Sequence, residues 1–469
     1  MRVLIVSTNR CAKPVRVMPI GACRVAGAAR RGGHQVSFVD FMFADRPVRV
    51  LRSRLEDFRP DVVGLSVRNV DNADLDDTVE HYRLPGVVET LEDYRVVIGG
   101  PAVSLFPGAL LRFTGADWAV VGEGERAFPR LLSALEAGNS PADVAGVGYL
   151  GEHGLHVNPP AHDCSPGRPV LPDYDRWLDL DSYIRAGTTV PIQAKRGCPG
   201  QCVYCTYPSL EGRRERLVDP AALAEAVKWL GRRGICDVEF VDNVFNSPPG
   251  YAPEVCRQLA RVDADVRLQT AELTPAGLDG GLLQLMQEAG FSGIGVSAES
   301  ASDAVLEGLG KSYDAAQVRR AARALTASDL PTMWFYLLGG PEETQRTVQR
   351  TLDFAEQQLG ERDAAVLFAG VRLYPDTPLE DIARREGQFL GSPEDMLEPV
   401  FYVSPALDDE WLLQTVEQRA RRVPGFIGPS FRSSALAAAA PRLVEFFGFR
   451  PPAWQYTSRI RRLASRFLM

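Results

Sequence analysis

Two successive alternations of short apolar runs with helical stretches restrict this chain to α/β architectures. In the first alternation, residues 3–6, 35–39, 62–67, 96–100 and 118–121 form runs rich in Val, Ile and Leu, bounded by Gly, Pro or Asp. Apolar runs of that length, without polar alternation, are strands buried on both faces of a parallel sheet. Helices between them make an open, doubly wound, Rossmann-like domain. Such a sheet binds ligands outside the carboxyl ends of its strands, which directs attention to residues 8–21, 68–72, 99–104 and 122–125. In the second alternation, strands are expected at 190–195, 237–241, 266–271, 293–298, 332–338 and 366–373, with helical stretches such as 221–233 and 282–289 between. Six β/α units predict a partial (β/α)6 barrel with its chemistry at the carboxyl ends of the strands.

The 469 residues exceed one ordinary domain. The expected organisation is a Rossmann-like α/β domain over 1–140, an extended linker over 141–189 rich in Pro, Gly, Asp and His, the barrel over 190–400, and a small helical, Arg-rich C-terminal region over 401–469. A net charge of -8 argues against a protein that tracks nucleic-acid phosphates, so no nucleic-acid partner is expected. No apolar run approaches the roughly 20 residues that cross a bilayer, and the apolar start reads as a buried strand rather than a secretory segment.

Eight cysteines are present. Five of them, Cys11, Cys23, Cys164, Cys236 and Cys256, are scattered, which is not a disulfide framework and points to a reducing cytoplasm. The other three are crowded into Lys195-Arg196-Gly197-Cys198-Pro199-Gly200-Gln201-Cys202-Val203-Tyr204-Cys205, directly after the first strand of the second alternation. One tight loop can thus wrap three thiolates around a cluster. Structural zinc normally takes four ligands, and no further His or Cys stands at a zinc-finger spacing here. A four-iron cube held by three thiolates leaves one iron open.

This loop resembles the motif of the radical SAM superfamily. The resemblance implies a 4Fe-4S cluster on Cys198, Cys202 and Cys205, with the open iron taking the amino and carboxylate groups of S-adenosyl-L-methionine (SAM). The reduced cluster would then release a 5'-deoxyadenosyl radical, which requires an external one-electron reductant of the flavodoxin or ferredoxin kind. Later strand ends are also similar to the family: Phe240-Val241-Asp242-Asn243-Val244-Phe245, Gly295-Val296-Ser297-Ala298-Glu299-Ser300, Leu338-Gly339-Gly340-Pro341-Glu342-Glu343-Thr344 and Tyr374-Pro375-Asp376-Thr377-Pro378. The resemblance implies SAM contacts from Tyr204, Asp242, Glu299 and Ser300. Lys311 would either pair with the SAM carboxylate or stand solvated at a helix end. Asp376 replaces the family's usual Gly, so a different backbone is expected there.

An α/β domain ahead of such a barrel resembles the cobalamin-binding members, the methylases and their relatives. The features that match are Gly99-Gly100-Pro101 with Ser104, and Gly122-Glu123-Gly124. Paired glycines let backbone approach a flat ligand, and a hydroxyl can bond its tail. In many cobalamin proteins a His after the first strand coordinates cobalt. Residues 8–21 contain none; His34, His81, His153, His156 and His162 lie elsewhere and read as surface or loop residues. The loop Arg68-Asn69-Val70-Asp71-Asn72 is the candidate to lie under the ring. A guanidinium has no lone pair for cobalt, so Arg68 would keep water out; alternatively Arg68 pairs with Asp71 or Asp74 at the surface.

The resulting expectation is a cobalamin-dependent radical SAM methyltransferase acting on a small-molecule, specialised-metabolite substrate. SAM would serve both as radical source and, through methylcobalamin, as methyl donor. The alternative with the same cofactors is a rearrangement or cyclisation without net methyl transfer. A cluster- or cobalamin-based sensor is weakened by the SAM-side motifs. A tRNA methylthiotransferase is disfavoured by the acidic charge and by the lack of a second three-cysteine cluster. No catalytic acid or base is assigned.

Overall fold

The computed structural model describes residues 1–11, 16–71, 84, 86–162, 170–432 and 452–467. The first sheet contains β1 (Arg2–Ser7), β2 (Gln35–Asp40), β3 (Val62–Ser66), β4 (Val96–Gly99), β5 (Trp118–Val120), β6 (Val147–Gly151) and β7 (Gly154–Val157), in the order β2-β1-β3-β4-β5-β6-β7. The first five strands are parallel. Val3, Leu4 and Val6 have no solvent exposure, as expected for a strand covered on both faces, and each such side chain contributes roughly 1.5–3 kcal/mol by burial. Helix Ile20–Arg31 packs on helix Gly124–Glu136 over one face, while Leu51, Leu55, Leu110 and Leu111 cover the other.

The stretch expected as an extended linker differs in its first part. Residues 147–157 form an antiparallel hairpin that extends the first sheet beyond β5. Residues 163–169, including Cys164, lie outside the described residues, as do His81, Asp74 and Asn72.

The second sheet runs β8 (Val190–Ile192), β11 (Asp237–Phe240), β12 (Arg267–Leu273), β13 (Phe291–Glu299), β14 (Thr332–Leu338) and β15 (Ala364–Ala369), each parallel to the next. Two short strands, β9 (Lys195–Arg196) and β10 (Arg216–Leu217), pair antiparallel above it, as do β16 (Val371–Arg372) and β17 (Phe401–Tyr402). A seventh parallel strand, β18 (Phe426–Ile427), joins β15 from the region expected to be only helical. Helix starts follow the sequence locally. Asp219 accepts the N–H of Ala221 with Pro220 in the first turn, and Asp314 and Gln317 form a reciprocal cap.

The two sheets share cores: Tyr174, Trp177 and Tyr183 join one, and Val371, Leu373, Leu379 and Tyr402 the other. Helix Pro101–Leu105, which follows β4, lies against helix Tyr207–Glu211, which follows the cysteine loop. The carboxyl end of the first sheet therefore faces the cysteine loop of the second.

Candidate active site

β8 and β9 deliver the cysteine loop. Asp242, just past β11, accepts the N–H groups of Ala194 (2.8 Å) and Lys195 (2.7 Å), tying the strand that precedes the cysteines to its neighbour. Asp242 is 1% exposed and its Oδ2 has no partner among the described residues. Burial pushes its carboxyl up to about 7, against the lowering effect of those N–H donors. The structure thus makes Asp242 a backbone clamp, where a SAM contact was expected. Gly197 has φ +85°, and a Cβ there would stand 2.1 Å from the Arg214 carbonyl oxygen, so only glycine passes at this point.

The loop itself closes on Cys198 N–H to Gly212 O (3.1 Å) and Cys205 N–H to Cys202 O (3.2 Å). A Cβ at Gly200 would lie 3.2 Å from the Cys198 sulfur and 4.0 Å from that of Cys202, so the missing side chain leaves both thiols facing one space. Among the described residues no group of three or more His, Cys, Asp and Glu is gathered as a single metal ion requires. Burial raises the Cys198 thiol and pushes Cys205 up to about 12. These groups become thiolates only against a strongly cationic partner, which cluster iron supplies.

Tyr204, Glu299 and Lys311, drawn from three separate motifs, meet. Lys311 Nζ donates to Glu299 Oε1 and to the Tyr204 hydroxyl, both at 2.7 Å, and the Tyr204 hydroxyl donates to the same Glu299 oxygen at 2.8 Å. The Lys311 side chain is 7% exposed, so the solvated alternative does not hold. Burial alone would lower its ammonium, but the Glu299 carboxylate and Tyr204 outweigh that and hold it well above its ordinary value. Glu299 takes φ +60°, a left-handed conformation that costs a non-glycine residue about 1–3 kcal/mol and is typical of functional strand ends. Ser300, by contrast, is fully buried against Thr351 (3.0 Å) and turns away from the site. Asp376 holds φ +58°, so the aspartate keeps a glycine-like backbone where a different one was expected, and its N–H donates to Glu380 at 2.9 Å.

On the first sheet, Gly99, Gly100, Ser104 and Gly122 are brought together. The Ser104 hydroxyl accepts the Gly122 N–H (2.9 Å) and donates to Gly100 O (3.2 Å). Gly100 has φ +108°, and a Cβ there would stand 2.4 Å from Val67 O, so the β3 and β4 ends can approach only through a glycine. Glu123 is diverted: its carboxylate is buried between Arg196 (3.2 Å) and Arg216 (2.8 Å) of the second sheet's loops. Glu125 also pairs with Arg196. These arginines, 73 and 93 positions away, had no signal in the local motif.

Arg68 stands just past the end of β3 with its side chain exposed, and Tyr207 and Cys11 lie within electrostatic reach of its guanidinium. Among the described residues it has no carboxylate partner. Asp71 pairs with Arg372 (2.8 Å), and Asp74, the other carboxylate considered for Arg68, lies outside the described residues. Asn69 lies beside Arg68, with its amide oxygen 3.3 Å from Nη1 in the hydrogen-bonded orientation. His34 is buried at the start of β2, at the opposite end of the sheet from these loops, and meets the N-terminus at 3.4 Å. His162, expected at the surface, is half-buried at the seam, where Cβ atoms on Gly212 and Gly122 would meet it at 2.9 and 3.5 Å.

Sequence reading missed Glu272 of β12. Burial pushes its carboxyl up to about 8, with Glu299 acting in the same direction, and its bond to Ser297 is long, 3.5 Å. Only the strand's inward face, invisible without neighbours, marks it.

Residues 192–355 match the model of the radical SAM superfamily, and residues 14–132 that of the B12 binding domain. An uncharacterized methyltransferase of Pyrococcus horikoshii is 27% identical over 76% of this chain and 77% of its own length. The anaerobic magnesium-protoporphyrin IX monomethyl ester cyclase of Rubrivivax gelatinosus is 26% identical over 82% and 70%. Tryptophan 2-C-methyltransferase of Streptomyces laurentii is 25% identical over 80% and 73%. The solved structure of the radical S-adenosylmethionine methyltransferase TsrM from Kitasatospora setae, with cobalamin and a [4Fe-4S] cluster bound, superposes with a TM-score of 0.85 at 21% identity, covering 99% of both chains. No described helix is long and apolar enough to cross a membrane.

Proposed function

We propose that this chain, whose residues 192–355 match the radical SAM superfamily and residues 14–132 the B12 binding domain, methylates a small molecule held between the two sheets. It is an enzyme whose cofactors are a [4Fe-4S] cluster, SAM and cobalamin. The observation that carries the proposal is the facing of the two carboxyl ends, with helix Pro101–Leu105 set against helix Tyr207–Glu211. A methyl carrier on one sheet and a SAM site on the other then open on one shared space.

When bound, the cluster supplies an electron to SAM, and cobalamin supplies a carrier for a methyl group. Cys198, Cys202 and Cys205 would hold the cluster, and the Lys311–Glu299–Tyr204 set would present fixed polar groups beside it. Gly99, Gly100, Ser104 and Gly122 would form the backbone surface for the corrin and its tail. Arg68 would cover one face of the ring without offering a lone pair. The buried pairs of Arg196 with Glu123 and Glu125 hold the two surfaces in register and exclude water from the seam. A flavodoxin- or ferredoxin-like protein would supply the electron.

The cyclase relative favours a second reading, a cyclisation or rearrangement without net methyl transfer. Anaerobic turnover with trideuteromethyl-labelled SAM separates them, because only methyl transfer adds about 17 Da to the product in place of hydrogen. A product without the labelled methyl, of unchanged mass after a rearrangement or lighter by about two hydrogens after ring closure between two C–H carbons, would replace the first reading by the second.

A further inference from the structure

Among the described residues, the lumen of the second sheet carries one acid, Glu239, with no cation beside it. β14 shows which side chains face the lumen: Thr332, Trp334, Tyr336 and Leu338 are buried, whereas Met333, Phe335 and Leu337 between them keep solvent access. Trp334, Tyr336 and Leu338 pack in the main core, so the alternate set lines the lumen. Register carries this face across the sheet. Gly295 pairs with Met333, Gly293 lies two residues before it, Gln269 pairs with Gly293, and Glu239 pairs with Gln269. A Cβ on Gly293 would stand 2.6 Å from Pro452 and 3.0 Å from Trp454, so this C-terminal segment floors the lumen near the start of β13.

Above that floor, Glu239 accepts a single bond, from the Thr189 hydroxyl at 2.7 Å. Burial raises its carboxyl above the ordinary range, the response of an acid without a cation. Glu272 adds a second carboxylate further up β12, within electrostatic reach of Glu239. Among the described residues, Arg267 on the same pair of strands is taken by Asp237 (2.6 Å), Lys195 by Glu215 (2.6 Å), and Arg196 by Glu123 and Glu125, while Lys311 pairs with Glu299 and also acts on Glu272 rather than on Glu239. Gln269, beside Glu239 on the same face, is 8% exposed, and its Nε2 has no partner among the described residues. An unpaired buried amide and a half-buried acid with no cation beside it each cost free energy unless a ligand completes them.

We propose that Glu239 receives a protonated amine on the substrate, with Gln269 bonding an acceptor on the same molecule. The substrate class is an amine with an apolar body, which packs against Met333, Phe335 and Trp454. This deepens the methylation reading, since it concerns the substrate of that same site. Charge complementarity is the physical reason: an ammonium supplies the cation that Glu239 lacks among the described residues.

The test is calorimetric titration of the cofactor-loaded protein with 2-phenylethylamine and with 2-phenylethanol, which share shape and differ in charge. The amine should bind about tenfold more tightly, as expected for a charge-assisted hydrogen bond. Glu239→Gln should shrink that preference to about twofold, and Glu239→Asp should keep most of it. Unchanged cluster absorbance and cobalamin content in each variant show that it has folded. Equal affinity for the two probes, no binding of either, or a preference that survives in Glu239→Gln overturns the assignment. Calorimetry needs no turnover, so a failure of methyl transfer leaves this result standing, and a failure here leaves the labelled-SAM assay untouched.

Discussion

Arg196 reaches across the boundary between the two sheets to Glu123, 3.2 Å away, from a position two residues before Cys198. Arg216 closes on the same carboxylate at 2.8 Å, and Glu123 is nearly inaccessible. Placement of the cysteine loop against the first sheet thus depends on a buried charge cluster. Glu123→Ala leaves two guanidinium groups short of a partner and should destabilise the protein by about 3 kcal/mol. Urea unfolding of the wild type and variant measures it. A change within about 0.5 kcal/mol would place the pair among surface ion pairs of little consequence.

The same logic applies to Lys311 and Glu299. Lys311→Met strands a buried carboxylate and should cost about 3–5 kcal/mol, while Lys311→Met combined with Glu299→Gln should cost less than the single change. Equilibrium unfolding of the singles and the double provides the cycle. Additive losses would show that the contact carries no coupling.

Asp242 predicts a pH dependence. Its folded value of about 7 lies above that of an unfolded aspartate, so between about pH 4 and 7 the native state holds the extra proton. Stability contributed by this group is present at the acid end of that window and declines as pH rises through it. Asp242→Asn keeps an oxygen for the Ala194 and Lys195 N–H groups without the charge. It should raise the Tm at pH 7.5 and flatten the decline, whereas Asp242→Ala should lower the Tm. A variant with an unchanged slope would mean another group sets the profile.

Arg68 and His162 divide the lower-ligand question. The account expects no histidine on cobalt, so electron paramagnetic resonance of bound cob(II)alamin should lack axial nitrogen splitting in the wild type and in His162→Ala alike. Arg68→Ala should admit water, shift the optical spectrum of bound cobalamin, and slow methylation more than 5'-deoxyadenosine formation. Arg68→Lys should recover this only in part, because a compact ammonium covers less of a ring than a planar guanidinium. Nitrogen splitting that disappears in His162→Ala would contradict the expectation, and equal loss of both products in Arg68→Ala would make Arg68 structural.

Much of the site was legible because its signals are local. The thiols sit in one loop, and Tyr204, Glu299 and Lys311 each stand in a motif at a strand end, although nothing in the sequence says that their polar atoms meet at 2.7–2.8 Å. What escaped depends on partners far away in the chain. Glu123 stood in the right loop but faces Arg196 and Arg216, and Ser300 faces Thr351 instead of the site. Glu239 and Gln269 alternate with apolar neighbours like any half-buried strand, and only the register beside Gly293 and Pro452 shows that their side is a lumen. The hairpin over 147–157 was hidden by its three glycines, which break up its short apolar stretches, and β18 by its length of two residues.

The claim on which everything rests is that Cys198, Cys202 and Cys205 hold the cluster at which SAM binds, while the first sheet separately binds cobalamin. Replacing the three cysteines together by Ala and measuring iron, sulfide, SAM turnover and cobalamin content after anaerobic reconstitution tests it most directly. The wild type should hold one four-iron cluster and turn over SAM, and the variant should do neither while still binding cobalamin. A cluster that persists in the triple variant would contradict it and transfer the iron to the scattered cysteines.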